Sequence, residues 1–351
     1  MGISLFDNPL FSALVGDKEV QQLFSPEADI AAMLDFEAAL AGAQAACKEI
    51  TAEDARAIVE AVEAYKPDMA ALAGGAAKDG MIVPTLVKSL RDSLPEAHRA
   101  ALHKGATSQD VIDTSLAVRL GHVLGLFERR LAEIEDALSA ITASSGEREI
   151  TGVTRMRAAL PIRLEHRLSE WRRPLAECRI RAGGVRKLVC VLHLGGPVGD
   201  RRDLGKEALE IANHMAAALD LGFDSTRRQS SRGWIADTGH WFALVSGALG
   251  KMAQDIVLMA QDGVGEVRLT DGGGSSAMAH KVNPVAAELV IALARFNAAQ
   301  IAGLHQSMVH EMERSGAAWA LEWMILPQMA AASGAALLLS KRMIETTDFS
   351  G

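Results

Sequence analysis

Residues 107–141 read TSQDVIDTSLAVRLGHVLGLFERRLAEIEDALSAI, and this stretch decides the fold class. From residue 110 onward it forms one long helical pattern with few helix-breaking residues. Thr107 and Asp110 match a capping box, which predicts that the helix begins here with free backbone N–H groups pointing outward. Such a helix end binds carboxylates well; the alternative interpretation is a plain helix cap.

Three more long helical patterns follow, and a shorter one could supply a fifth helix. They cover residues 162–191, 236–261, 284–312 and, for the fifth, 321–344. Segments of this length exceed ordinary globular helices and favour a bundle. The third segment carries an apolar stripe at three- and four-residue steps. Its members are Trp241, Leu244, Val245, Leu249, Met252 and Ile256. Helices with so much apolar surface are expected to bury it against other subunits.

The N-terminal part reads as shorter helices. A helix over residues 30–49 is preceded by the start signal Ser25-Pro26-Glu27, and two more are predicted over residues 52–64 and 84–93. The pairs Gly74-Gly75 and Asp79-Gly80 are read as turns between them. We therefore expect a small N-terminal helical domain over residues 1–106 and a central long-helix bundle over residues 107–351.

Composition excludes several classes of protein. Of the 351 residues, 49% are hydrophobic, enough for a sizeable core, and only 4% are aromatic, which disfavours a sheet protein. A net charge of -8 argues against nucleic-acid binding. The cysteines Cys47, Cys178 and Cys190 are too widely spaced to suggest a disulfide framework or a CxxC site. Without a recognisable signal peptide, and with apolar stretches such as residues 330–340 too short to span a bilayer, we expect a soluble cytoplasmic protein with no membrane partner.

The segment richest in chemistry is residues 274–284, GSSAMAHKVNP. Asn283 followed by Pro284 predicts a helix start with Asn as N-cap and Pro at the first helical position. Lys281 and the positive end of that helix would stabilise a developing negative charge. The glycines upstream allow a loop to close and exclude water. Glu288 would face the same side of the helix; the alternative is a Gly-Ser surface loop before a capped helix.

Four other segments complete the pattern. They are residues 103–114 (HKGATSQDVIDT), 154–161 (TRMRAALP), 194–199 (LGGPVG) and 310–323 (HEMERSGAAWALEW). In the second of them, Arg155 and Arg157 can clamp carboxylates bidentately, although a pair of solvated arginines is the alternative. In the last, Arg314 is a candidate carboxylate contact, whereas Trp319 and Trp323 are interpreted as packing residues.

Together these segments resemble the signatures of the fumarase/aspartase superfamily, and within it the bacterial 3-carboxy-cis,cis-muconate cycloisomerases. The matches are GSSxMxxKxN, GATSxDxxDT, TxxQxAxP, GGAxGT and HERxxGxWxxEW, and the resemblance runs over residues 5–343. The chain departs from the family pattern at several positions. Arg155 and Arg157 replace a histidine and a glutamine, Asp200 replaces a threonine, and Ala279 and Val282 replace a proline and an arginine.

The resemblance implies roles for individual residues. Ser275 would exchange a proton with a substrate carbon, while Lys281 and Asn283 would hold a substrate carboxylate. Glu288 would support the site structurally. The implied substrate-binding residues are His103, Thr107, Ser108, Gln109, Thr154, Arg155, Arg157, Ser276, Met278 and Arg314. No cofactor and no metal are implied, and His280 beside Lys281 is interpreted as a loop residue.

The implied reaction is the lactonisation of 3-carboxy-cis,cis-muconate to 4-carboxymuconolactone, a step of aromatic-compound catabolism in the β-ketoadipate pathway. The implied assembly is a homotetramer whose sites each draw on three subunits. The family's third, C-terminal helical domain is expected to be truncated or absent. Two alternatives stay open: another superfamily lyase, such as an adenylosuccinate-type lyase, and a binding or structural relative without full activity.

Overall fold

The computed structural model describes residues 4–226, 228–274, 278 and 282–350, and its architecture is all-α. In chain order the helices are α1 (Ser12–Val15), α2 (Lys18–Leu23), α3 (Pro26–Ala46), α4 (Ala52–Ala64), α5 (Met69–Asp79), α6 (Val83–Ser93), α7 (Ser108–Ser145), α8 (Leu164–Val189), α9 (Ala208–Ala218), α10 (Gly233–Met259), α11 (Val285–Ser307) and α12 (Gly316–Glu345). The strands are β1 (Glu149–Thr154), β2 (Arg157–Arg163), β3 (Arg268–Leu269) and β4 (Thr347–Asp348), in two antiparallel pairs. The expected fold class is confirmed.

The five long helices α7, α8, α10, α11 and α12 form the bundle. The first three begin and end within four residues of their predicted bounds, whereas α11 ends five residues earlier than predicted and α12 begins five residues earlier. Helix α10 is central to it, since it packs against α8, α11 and α12. Its apolar stripe enters the core, where the Trp241 ring stacks on Phe127 with centroids 6.2 Å apart and the Phe242 ring meets Phe127 edge-on at 5.7 Å. These aromatic contacts join α7 to α10 across the bundle.

The shorter helices share a second core, in which Phe36, Ile58 and Leu90 are fully buried together with Ile211 and Met215 of α9. The predicted start of α3 is confirmed, because the hydroxyl of its N-cap Ser25 accepts a hydrogen bond from the Ala28 N–H at 3.1 Å. The division into domains at residues 106 and 107 stays a prediction.

The predicted turn at Gly74-Gly75 is wrong, because both glycines lie inside α5. The Asp68 side chain caps this helix by accepting hydrogen bonds from the N–H groups of Ala70 and Ala71. A Cβ atom on Gly75 would lie 2.0 Å from the Thr85 hydroxyl oxygen. Here glycine serves a close approach between α5 and α6 and does not mark a turn.

A β-hairpin that the sequence did not predict follows α7. Strands β1 and β2 pair antiparallel, and the two turn residues Arg155 and Met156 have φ angles of 48° and 63°. A two-residue turn with both φ angles positive suits the twist of a hairpin. The base of the hairpin is attached to the bundle through Glu266, whose carboxylate accepts a hydrogen bond from the Thr151 N–H at 2.6 Å and whose carbonyl accepts one from the Arg148 side chain at 2.5 Å.

The bundle therefore has two distinct ends. The α7-start end comprises residues 103–110, 193–197 and 310–322, and the hairpin end comprises residues 148–163, 266–274 and 346–348. Helix α7 runs from one to the other without a break over 38 residues. At a rise of about 1.5 Å per residue the two ends are separated by about 57 Å.

Three helices, α10, α11 and α12, are long and apolar enough to cross a membrane by length and composition alone, which the sequence reading had not expected. In α10 and α12 half or more of the most apolar window is buried inside the chain, at 50% and 61%. In α11 the figure is 22%. Helix α11 is thus the least buried of the three within this chain.

Packing between α10 and α11 depends on Gly250, since a Cβ atom there would lie 2.7 Å from the Cβ atom of Ala294. Alanine has no rotatable side chain that could move aside, so Gly250→Ala should push the helices apart. We expect overpacking to outweigh the gain in helix propensity and to lower the free energy of unfolding by about 1 kcal/mol. Gly42→Ala is the control, because the space around Gly42 within α3 is open. In urea denaturation the free energy of unfolding of Gly42→Ala should rise by up to about 1 kcal/mol. Equal changes in the free energy of unfolding for the two substitutions would contradict the packing argument.

Candidate active site

Asp110 organises the α7-start end. Its buried carboxylate accepts hydrogen bonds from the backbone N–H groups of Gly195 and Gly196, each at 2.8 Å, and from that of Thr107 at 3.0 Å. Burial raises the pKa of Asp110 to about 6, although these three N–H groups act to lower it. Gly196 has a φ of 71°, a conformation that favours glycine. One carboxylate thus fixes the predicted capping box and the glycine turn beside it.

Arg314 lies over this helix start, with its side chain half-buried. The guanidinium Nε donates to Gln109 Oε1 at 2.9 Å, and Nη2 donates to Thr107 Oγ1 at 3.2 Å and to the Pro197 carbonyl at 3.3 Å. Ser108 is the first residue of α7. The structure therefore brings together four predicted site residues that are as much as 207 positions apart in the sequence.

Gln109 is buried, and its amide is fully engaged within the chain. Its Nε2 donates to Asp113 Oδ2 at 3.1 Å and to the Gln229 carbonyl at 2.8 Å, while its Oε1 accepts from Arg314. With both ends of the amide occupied, Gln109 orients the Arg314 guanidinium. Its predicted direct contact with substrate stays a prediction, whereas the geometry favours a positioning role.

His103 precedes the helix start in a left-handed conformation, with a φ of 60°. Its Nδ1 lies 2.6 Å from Oε1 of the buried Glu37. Burial lowers the pKa of His103, but the charge and the hydrogen bond of Glu37 raise it, and the net shift is upward. His103, four residues before Thr107 in the chain, is therefore protonated more readily than a free imidazole.

Behind Gln109 lies a set of buried charges that the sequence reading did not identify, the buried triad of Asp113, Arg232 and Glu322. Arg232 Nη1 donates to Asp113 Oδ2 at 2.6 Å, and Nη2 donates to Glu322 Oε2 at 2.6 Å. The three side chains are at most 1% exposed. Burial raises the pKa of Glu322 to about 7 despite the neighbouring guanidinium. Trp319 adds an indole N–H donor to Asp113 Oδ1 at 3.2 Å.

Two histidines flank the buried triad. His310 Nε2 lies 3.5 Å from Glu322 Oε1. The His193 ring is tilted over Trp234, with centroids 4.9 Å apart, and neither of its nitrogens has a hydrogen-bond partner among the residues that the structure describes. Burial lowers the pKa of His193 to about 3, although Asp113 acts to raise it, so the ring is neutral near pH 7. A small cavity adjoins it, lined also by Gln109, Asp110, Leu194, Arg201 and Gln229.

The remaining predicted site residues belong to the hairpin end or to the loop before α11. Thr154, Arg155 and Arg157 are exposed at the hairpin tip. Met278 is exposed in the loop, and Glu288 is exposed in the first turn of α11. Ser275, Ser276 and Lys281, with His280, lie outside the described residues. The hairpin-tip residues are therefore separated from the α7-start end by about the length of α7, about 57 Å.

The predicted N-cap at Asn283 is wrong. Helix α11 begins at Val285 with Pro284 as its N-cap. The reason lies in the backbone of Asn283, which pairs with Gly273 through two hydrogen bonds of 2.8 and 3.0 Å and so continues an extended bridge. The Asn283 side chain instead donates to the Gly274 carbonyl at 3.4 Å. Its amide thus ties the two sides of the loop together.

The chain belongs to the lyase family, whose profile matches residues 12–303. It is 33% identical over 329 residues to the 3-carboxy-cis,cis-muconate cycloisomerase of Pseudomonas putida, and this alignment covers 92% of the chain and 78% of that protein. The expected superfamily and the expected enzyme class are confirmed.

Solved structures agree with the sequence comparison. The chain superposes on the 3-carboxy-cis,cis-muconate lactonizing enzyme from Pseudomonas putida with a TM-score of 0.90 at 33% identity, covering 97% of this chain and 77% of that one. It superposes on a fumarate lyase from Mesorhizobium sp. with a TM-score of 0.88 at 30% identity, covering 95% and 75%. The relatives share one fold but carry more than one reaction name.

The low pKa of His193 makes stability depend on pH. The unfolded chain takes up a proton on this ring below its ordinary pKa of 6.5, whereas the folded chain does so only near 3. The free energy of unfolding should therefore fall as pH falls from 6.5, and this group alone should account for a loss of about 2 kcal/mol between pH 7 and pH 5. In urea denaturation of His193→Gln, the free energy of unfolding should fall between pH 7 and pH 5 by about 2 kcal/mol less than in the wild type. Identical pH dependence in the two proteins would contradict the burial of a neutral ring.

Proposed function

We propose that this chain catalyses the lactonisation of 3-carboxy-cis,cis-muconate to 4-carboxymuconolactone. The observation that carries the proposal is the Arg314 guanidinium, fixed by Gln109 and Thr107 over the first turn of α7. A fixed guanidinium next to a helix N-terminus is a site for a carboxylate. The name carried by the Pseudomonas putida relative supports the choice of a tricarboxylate as substrate.

The charges at the α7-start end suit a polyanion. Arg314 supplies a permanent positive charge, and the helix start adds roughly half an elementary charge. Glu37 raises the tendency of His103 to be protonated. These groups attract a substrate with several carboxylates more strongly than one with a single carboxylate.

In the proposed mechanism one substrate carboxylate adds to a carbon of the neighbouring double bond. A C–O bond forms, and the π electron pair moves to the adjacent carbon, where a proton from Ser275 completes the isomerisation. The developing charge spreads into a carboxylate held by Lys281 and Asn283. Read in reverse, the step is a β-elimination with a carboxylate as leaving group, so a lyase scaffold suits the reaction.

We propose that other copies of the chain complete each site in a homotetramer. Thr107, Ser108 and Gln109 lie at the start of α7 and Thr154, Arg155 and Arg157 beyond its end, and this supports sharing between subunits. The low burial of α11 within the chain, at 22% of its most apolar window, supports association of the bundles. Arg155 and Arg157 are exposed at the hairpin tip, and we assign them the bidentate binding of a carboxylate at a site on a neighbouring chain.

A second candidate is β-elimination of a fumarate-type substrate, which the structural likeness to a fumarate lyase favours. Arg155 argues against it. An arginine stands where the lyase signature has its histidine, and a guanidinium that stays protonated cannot act as general acid or base.

The purified protein should therefore remove the ultraviolet absorbance of carboxymuconate. Ser275→Ala should lower kcat by about 10²- to 10⁴-fold with little change in KM, because the proton donor is lost and the carboxylate contacts stay. Ser144→Ala, at the exposed end of α7, is the matched control and should keep wild-type turnover.

Other outcomes would overturn parts of the proposal. Near-wild-type turnover by Ser275→Ala would remove this serine from the mechanism. Turnover of adenylosuccinate or another fumarate-releasing substrate, with carboxymuconate left unchanged, would show that the protein catalyses the β-elimination and not the lactonisation. No turnover, together with thermal stabilisation by a tricarboxylate, would indicate a binding protein.

A further inference from the structure

We propose that Cys47, Glu210 and His214 form a binding site for a divalent cation of the zinc class. One thiol sulfur, one imidazole nitrogen and one carboxylate oxygen lie within 4.8 Å of one another. Among the described residues this is the group with metal-ligand spacing, and none of its members belongs to the candidate active site. Sulfur, nitrogen and oxygen donors in a set of three suit a tetrahedral Zn²⁺ site with water as the fourth ligand.

The three ligands are carried by well-defined elements. Glu210 and His214 are four residues apart on α9, so they project from the same side of the helix, and His214 Nε2 lies 3.8 Å from Glu210 Oε1. Helix α9 packs against α3 through its buried face, which includes Ile211 and Met215. Cys47 is the C-cap residue of α3. The packing of two helices therefore brings the ligands together before any metal is present.

The charge around the thiol also favours a cation. Three carboxylates, those of Glu210, Glu207 and Glu49, act electrostatically on the Cys47 side chain. Their negative field attracts a divalent cation to the thiol. Since the thiolate is the ligand, binding displaces the thiol proton to solvent and forms a sulfur–metal bond.

A cation here would stiffen a segment that adjoins the α7-start end. Immediately around Cys47, Gln44 donates its side-chain N–H to the Lys104 carbonyl at 2.8 Å, and Lys104 Nζ donates to the Glu49 carbonyl at 2.8 Å. Lys104 directly follows His103 in the chain. A bound cation would therefore link α3 to α9 and stabilise the segment that hydrogen-bonds to Lys104. This proposal does not depend on the proposed reaction.

Titration of the full-length protein with Co²⁺ tests the site, since Co²⁺ adopts zinc-like geometry and a thiolate ligand gives a near-ultraviolet charge-transfer band. We expect one Co²⁺ per chain, displacement by Zn²⁺, and release of about one proton per metal from the thiol. At a Zn²⁺ concentration about 100-fold above Kd, Tm should rise by about 3 °C.

The variants separate this site from adventitious binding. Cys47→Ser should abolish the charge-transfer band, and His214→Asn should weaken binding by about 100-fold because one of three ligands is lost. Cys190→Ser and His166→Asn are the matched controls, and both should bind Co²⁺ as tightly as the wild type does. His166 matches His214 because it is also exposed and lies 4.0 Å from a glutamate. Absence of the band from the wild type, or its persistence in Cys47→Ser, would overturn the proposal. Metal-free Tm values confirm that each variant is folded.

Discussion

The length of α7 is the constraint on which the account depends. An unbroken helix of 38 residues places its capping box at one end of the bundle and the hairpin at the other. Because helical rise is fixed by backbone hydrogen bonding, no side-chain motion within a chain can close a gap of about 57 Å. A site that needs both groups of residues must be made from more than one chain. The low burial of α11 within the chain is consistent with such an assembly.

Buried electrostatics stiffen the α7-start end. Arg232 pairs with both Asp113 and Glu322, and Asp113 accepts a hydrogen bond from Gln109, which orients Arg314. Charges this deeply buried are tolerated only when paired, and removing one member would leave an uncompensated charge. The triad thus fixes the direction of a guanidinium nearer the surface. In this arrangement the main role of the buried charges is to orient the Arg314 guanidinium, more than to stabilise the fold.

Much of the fold could be predicted from the sequence, because long helices reveal themselves through periodicity and a scarcity of breakers. Helix α4 has the predicted bounds of residues 52–64, and the capping box of Thr107 and Asp110 marked the start of α7. The hairpin was missed because its turn residues, Arg155 and Met156, adopt positive φ angles without the glycine or asparagine that usually signals such a turn. Helix α5 was missed because its two glycines were read as a turn.

The candidate site could be predicted only in part. Thr107, Gln109 and Arg314 were identified from motifs, and the structure brings them into contact. Arg232 and His193 were missed because their residue types are usually exposed or half-buried, and burial follows from tertiary packing that no local pattern reports. The Asn283 cap was misassigned for a similar reason, since its pairing with Gly273 spans the loop.

Mixing two inactive variants tests most directly whether sites are shared between chains. Ser275→Ala removes the function assigned to the loop before α11, and Arg314→Met removes one from the α7-start end. If each site takes these residues from different chains, tetramers reassembled from an equal mixture should regain about one quarter of wild-type turnover, since two independent halves must both be intact. Turnover no higher than that of the separate variants would contradict the shared site.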